Sequence, residues 1–480
     1  MKMKHLIFAA LTFISASGCQ QNGKATDKGK ATSVGQNAEE GKPAENPALK
    51  WNDIGAISGK VTIEGSLASP TFNNRKIYLY ETEGKESYPI DSVKIANNAF
   101  KFGPTERMIG VYKLAFDNDN TVEMVLNPNE NEGVLKVEIK GPGRLEAMTV
   151  FPNSQDNKAW QEYVRSEKKF QGELRNLRTQ RGQAANKDEF DSQIYAKDDE
   201  RIGSHMGIAD RNPGTFTAKI MHRLRSPEHK TKGRYWEDID FSDRSYIRSQ
   251  VFNDRIQDFM RNHSGGKEDG FMSCVDLLME KAKADERVFE FVLYTVLEGF
   301  YSSGMDAVCT YILDSYYFGD ACGEIELSEL SKVKASRIKN LQIGNTPPDF
   351  TLTSSAGKKI NLKAESAKNK YTLVFFWASW CHKCEGEIPM LKPVYAQHRA
   401  KGFEVIGVSV DTDESTWKTA LQSNNMPWPQ VCEFGGWKSP VSKAYQVNKT
   451  PNMFLLDKEM KIVLKPGSVA EVKAFLDKNM

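Results

Sequence analysis

Cys381-His-Lys-Cys384 is the part of this sequence best suited to do chemistry. Two thiols at that spacing close into a disulfide and reopen, exchanging two electrons with a partner disulfide. An apolar run from Tyr371 to Trp377 precedes them and a helical pattern follows, which places Cys381 at a helix N-terminus. Unpaired backbone N–H groups and the positive end of the helix dipole there stabilise thiolate over thiol. A pKa drawn from about 8.5 towards about 7 leaves an appreciable thiolate fraction at neutral pH. Cys381 is then the nucleophile on a substrate disulfide, and Cys384, one turn inward, resolves the mixed disulfide. Trp380 is expected to pack beside the nucleophile and partly shield it, with Lys383 adding a weak positive field. A structural bridge or half a zinc site is the competing reading, but a second CxxC and an HExxH are missing. The dithiol needs no cofactor or metal.

The elements that position this motif follow a Pro/Gly junction, Ile343-Gly-Asn-Thr-Pro-Pro-Asp-Phe350. Tyr371 to Trp377 and Phe403 to Val410 read as buried strands, and Glu385 to Ala400 and Glu414 to Ser423 as helices. Two short strands, Met453 to Leu456 and Lys461 to Leu464, and a closing helix from Val469 to Lys478 complete a thioredoxin-like α/β pattern. The segment Phe376-Trp-Ala-Ser-Trp-Cys381-His-Lys-Cys384-Glu-Gly-Glu387-Ile-Pro389 resembles the active site of the TlpA/ResA-like thiol–disulfide oxidoreductases. Pro-Asp-Phe350-Thr-Leu, Val405-Ile-Gly-Val-Ser-Val410-Asp and Thr450-Pro451 agree with that family, over residues 343 to 480.

The resemblance implies three further site residues. Glu387 matches the family's buried glutamate, which tunes the cysteine pKa values and relays the proton; thioredoxin's own aspartate position is Phe375 here. Pro451 matches the cis-proline that exposes the Thr450 backbone to an extended substrate. Asn452 departs from the small or β-branched residues usual after it, so substrate preference is expected to differ. A peroxidase of the Pro-x₃-Thr-x₂-Cys type is disfavoured, because Val374 and Ala378 stand at its Pro and Thr.

The whole chain of 480 residues is too long for one core. Residues 1–19 read as a lipoprotein signal peptide: Lys2 and Lys4, an apolar stretch from Leu6 to Ile14, then small residues before Cys19. The pattern resembles a bacterial lipobox, with Ala16 where Leu is favoured, and makes Cys19 the lipidated residue. Residues 20–50 hold almost no large apolar side chain and read as a disordered tether. Short alternating strands over 51–142, with a turn at Asn97-Asn98, read as an antiparallel β-sandwich-like domain. A helical period over 143–338 marks a central α-helical domain, including a stripe from Tyr246 to Met260 and a buried run from Val288 to Leu297. Residues 339–480 form the C-terminal α/β thioredoxin-like domain. The formal net charge of +2 gives no basic nucleic-acid footprint.

Of the other cysteines, Cys274, Cys309 and Cys322 fall in the helical region and Cys432 in the catalytic one. Structural roles are the default; Cys309 and Cys322 are near enough in sequence to bridge, and Cys432 is the one placed to face the site. The expected protein is therefore a lipoprotein of the bacterial cell envelope, facing the periplasm and held to the membrane by its lipid alone. There it reduces disulfides of exported proteins and is itself recharged by a membrane electron donor; such relatives serve cytochrome c maturation or general thiol homeostasis. A thiol oxidase or isomerase, and a binding lipoprotein with an inert thioredoxin-like domain, are the alternatives.

Overall fold

The computed structural model describes residues 57–117, 120–184, 186–225 and 231–480. The expected signal segment, Cys19 and the tether lie outside the described residues. Two compact units emerge. One runs to Gly265 and adds Glu280–Phe289; the other comprises Gly266–Met279 and Glu290–Met480.

The first unit opens with eight strands: β1 (Ser58–Leu67), β2 (Lys76–Glu83), β3 (Glu86–Lys94), β4 (Ala99–Met108), β5 (Gly110–Ala115), β6 (Thr121–Leu126), β7 (Val134–Ile139) and β8 (Thr149–Val150). They make two four-stranded sheets, ordered β4-β1-β7-β8 and β3-β2-β5-β6. Inward residues at every second position, among them Ile63, Leu79, Phe100, Leu114, Met124 and Val137, form one shared core. Asn97 and Asn98 both have positive φ, 49° and 58°, the turn that matches strand twist between Ala96 and Ala99. One pairing departs from the antiparallel expectation: β1 and β7 run parallel, with Ile63 opposite Leu135. The strands of the second sheet intervene between them, so β7 returns alongside β1 in the same sense.

Helices α1 (Leu145–Met148), α2 (Gln155–Gln183), α3 (Lys187–Arg211), α4 (Phe216–Leu224) and α5 (Val251–His263) follow, then α6 (Glu268–Ala282), α7 (Glu286–Ser303), α8 (Asp306–Ile312) and α9 (Glu329–Asn340). The central helical segment is shared between the units, α6 and α7 straddling the division. Buried polar anchors explain why the early helices join the sheets. Asn157 of α2 exchanges two hydrogen bonds with the backbone of Val125 in β6, at 2.8 and 2.7 Å. Asp156 beside it accepts from the N–H groups of Phe216 and Thr217 at the start of α4, both at 2.9 Å. Among the described residues, no helix is long and apolar enough to cross a membrane.

The second unit ends in the thioredoxin-like α/β fold. A hairpin of β9 (Thr351–Thr353) and β10 (Lys359–Asn361) and helix α10 (Leu362–Lys368) lead into β11 (Tyr371–Trp377). Then come α11 (His382–His398), β12 (Phe403–Ser409), α12 (Glu414–Asn424), β13 (Gln430–Cys432), α13 (Pro440–Ala444), β14 (Asn452–Asp457), β15 (Ile462–Leu464) and α14 (Val469–Asn479). The five-stranded sheet has the order β13-β12-β11-β14-β15, with β11 central, parallel to β12 and antiparallel to β14. Every residue of β12 is buried, as helix cover on a parallel pair demands.

Candidate redox site

Sheet register brings the site together. Trp377 at the end of β11 pairs with Ser409, and Phe376 pairs with Asn452 across β14. The residues just after β11 and β12 and just before β14 therefore share one edge: Ser379 to Cys381, Asp411, and Thr450-Pro451. The peptide between Thr450 and Pro451 is cis, as the family likeness implied.

Cys381 is the N-cap of α11, and its Sγ accepts the Cys384 backbone N–H at 3.1 Å. This is the interaction expected to favour its thiolate. The two sulfurs are joined in a disulfide with a Cα–Cα distance of 5.2 Å. Cys381 is 5% exposed and Cys384 1% exposed, so an incoming thiol reaches Cys381 first. That order of exposure agrees with the roles expected of the two cysteines.

Trp380, next to Cys381 in the chain, stands largely in the open. It is 58% exposed and sets its ring edge-on to Trp437, 5.7 Å between centroids. Trp377 is the buried tryptophan of this segment, and its indole N–H donates to Gln430 Oε1 at 2.9 Å. Glu387 is half-buried, neither fully enclosed nor turned wholly to solvent. Its carboxylate accepts the Val469 N–H at 2.8 Å, capping α14 where the Ser468 side chain caps no backbone N–H.

Asp411 is the residue that the sequence reading quoted without assigning. It is 2% exposed. Its carboxylate accepts from Ser379 N at 3.0 and 3.2 Å, and from Ser379 Oγ and Ser409 Oγ, both at 2.6 Å. A buried charge with charge-assisted bonds on both oxygens pins the residue two before the nucleophile. Cys432 lies behind it: its thiol bonds Asp411 O at 3.5 Å and accepts from Phe434 N at 3.3 Å. Burial raises its pKa, which suits a structural thiol. Cys309 and Cys322 do not bridge; their thiols bond to Leu297 O and Tyr316 O respectively.

Comparison with known proteins adds to this geometry. Residues 343–465 match the AhpC/TSA family, and residues 61–158 match a domain of unknown function, DUF4369. A thiol–disulfide oxidoreductase ResA of Bacillus cereus is 32% identical over 144 residues, which are 30% of this chain and 80% of that protein. The chain belongs to the ResA family of thiol–disulfide oxidoreductases. The ResA of a second Bacillus cereus strain is likewise 32% identical, over 27% of this chain and 71% of its own length. Among solved structures, a thiol–disulfide oxidoreductase from Bacteroides fragilis is similar at 31% identity and a TM-score of 0.27, covering 28% of this chain and all of that one.

For this ResA-family chain the two clustered sulfurs, their helix N-terminus and the anchored approach loop account for thiol–disulfide exchange. Trp437 and Asp411 are the additions that sequence reading missed. The only signal for Asp411 was its place after a strand that ends in Ser409. Trp437, in a Gly-Gly-Trp-Lys turn, carried no signal of its own.

Proposed function

We propose that this protein is a disulfide reductase of exported proteins, tethered to a bacterial membrane through Cys19 and facing the periplasm. The reduced Cys381 thiolate displaces one sulfur of a substrate disulfide, forming a mixed disulfide and releasing one substrate thiolate. Cys384 then attacks Cys381 Sγ, releases the second substrate thiolate and closes the Cys381–Cys384 bond. Two electrons pass to the substrate, and its two thiolates take up protons. A membrane electron donor returns the pair to the dithiol. The observation that carries this reading is Cys381 Sγ held against the Cys384 N–H at the start of α11, with Cys384 buried beneath it.

Insulin reduction by the full chain, with dithiothreitol as the electron source and its own rate subtracted, tests the enzyme reading. Turnover is expected for the wild type and is abolished by Cys381→Ala; a wild type without turnover would sink it. The reduction potential of the Cys381/Cys384 pair tests direction. A value near or below about −270 mV supports reduction, and one near about −120 mV makes disulfide formation the job.

A further inference from the structure

Helix α7 ends at Ser303, and Gly304, at φ 77°, turns the chain away from it. The Gly304 N–H donates to Tyr301 O and the Met305 N–H to Phe300 O, both at 3.0 Å, the usual closure of a helix C-terminus. Ser302 O lies in the same last turn, at the negative end of the dipole. Lys449 Nζ donates to it at 2.7 Å. Beside this contact Asn448 Nδ2 donates to Ser302 Oγ at 2.9 Å. Asn448 and Lys449 are the two residues that lead into Thr450-Pro451.

The same corner holds the far side of that loop. Asp306, in the first turn of α8, accepts from Lys465 Nζ at 2.6 Å. Lys465 follows β15, which pairs with β14, the strand that starts directly after Pro451. The Tyr301 hydroxyl donates to Tyr445 O at 3.2 Å, and the buried Tyr445 ring packs on Phe376 of β11 and Phe454 of β14. Burial lowers the Lys449 pKa, with the charges of Lys383 and Lys465 adding to the effect. Lys449 thus gives up hydration to sit against the helix end.

We propose that the Tyr301–Asp306 corner is a positioning element for substrate binding, which fixes the Thr450 backbone for an extended polypeptide through Lys449 and Asn448. The inference rests on the disulfide-exchange reading of the site. None of its residues touches the sulfurs. It acts by ordering the loop before substrate arrives, so that the ordering cost is not charged to binding.

The test uses the full chain with disulfide-bonded insulin as substrate and dithiothreitol as the electron source, rates being taken above the dithiothreitol background. Lys449→Met removes the donor and Lys449→Arg keeps it; Asn448→Ala breaks the second contact independently. Lys449→Met and Asn448→Ala are expected to raise KM about tenfold, with kcat within about twofold and the reduction potential of the pair unmoved. Lys449→Arg is expected to return KM to near the wild-type value. Unchanged KM in both loss variants overturns the proposal. So does a shifted potential at unchanged KM, which would make Lys449 a charge acting on the thiolate instead. Hydrogen exchange over residues 448–456 reads the clamp without turnover. Faster exchange in both loss variants supports it, and unaltered exchange overturns it. A wild type inactive on insulin refutes the proposed function and leaves the corner to be judged by that exchange measurement.

Discussion

Replacing Asp411 by alanine removes the acceptor for the Ser379 amide and for the hydroxyls of Ser379 and Ser409. The Ser379 hydroxyl is half-exposed and finds water, whereas Ser409 is 4% exposed and has no such recourse. Stranding a buried donor costs about 1–3 kcal/mol, so two of them cost about 2–6 kcal/mol. Relief from burying the carboxylate itself offsets part of that. A net loss of about 2–4 kcal/mol in local stability follows, which is about 30- to 700-fold in the opening equilibrium. Hydrogen–deuterium exchange of the oxidised full chain, read on the peptide spanning residues 378–384, measures this directly. The Ser379 amide should lose protection by that factor in Asp411→Ala and by less in Asp411→Asn, which keeps one accepting oxygen. Peptides from the β-rich unit serve as the control and should not change. Protection at Ser379 within twofold of wild type in Asp411→Ala would refute the anchoring role.

Three further outcomes are expected. A carboxylate disfavours a nearby thiolate, so Glu387→Gln should move the pH profile of Cys381 alkylation to lower pH; an unmoved profile confines Glu387 to capping α14. Trp437→Ala removes the partner of Trp380, and an aromatic pair contributes about 0.5–1.5 kcal/mol. KM for a protein disulfide should therefore rise about 2- to 12-fold with the potential unaltered, and an unchanged KM excludes the indole pair from substrate contact. His205 is 7% exposed, and burial lowers its pKa from 6.5 to about 4, against the opposing pull of Glu167 at 3.3 Å. As pH falls between those two values the unfolded chain takes up a proton that native His205 refuses, so stability of the β-rich unit is lost in that window. The wild-type curve should steepen relative to His205→Gln by up to about 1.4 kcal/mol per pH unit, and parallel urea-unfolding curves for the two proteins over that range would count against it.

Local signals carried the C-terminal region well. The apolar run of β11, the helical pattern after Cys384 and the closing helix near Val469 each fall within a few residues of their expected bounds. The elements that were missed are short: β9, β10, β13 and α13 each span five residues or fewer, and α10 seven. Such segments form because a neighbour supplies the pairing, as Gly407 to Ser409 do for β13, and no periodicity of their own announces them. In the helical segment the pattern identified helices but not their company. Asn157 and Asp156 read as ordinary polar residues near a helix start until Val125 and α4 appear beside them.

What the sequence determined by itself is the chemistry: two thiols at CxxC spacing between a strand and a helix, and a Thr-Pro pair further on. Those are covalent and local properties, and they hold wherever the chain goes. Only the tertiary structure decided which groups surround them. Asp411 reaches Ser379 because β12 runs parallel beside β11, Glu387 spends its carboxylate on α14, Trp380 turns outward to Trp437, and Ser302 meets Lys449. Each of those pairs is separated by tens of residues or more in sequence. They meet through sheet register and helix packing, long-range effects that no local pattern encodes.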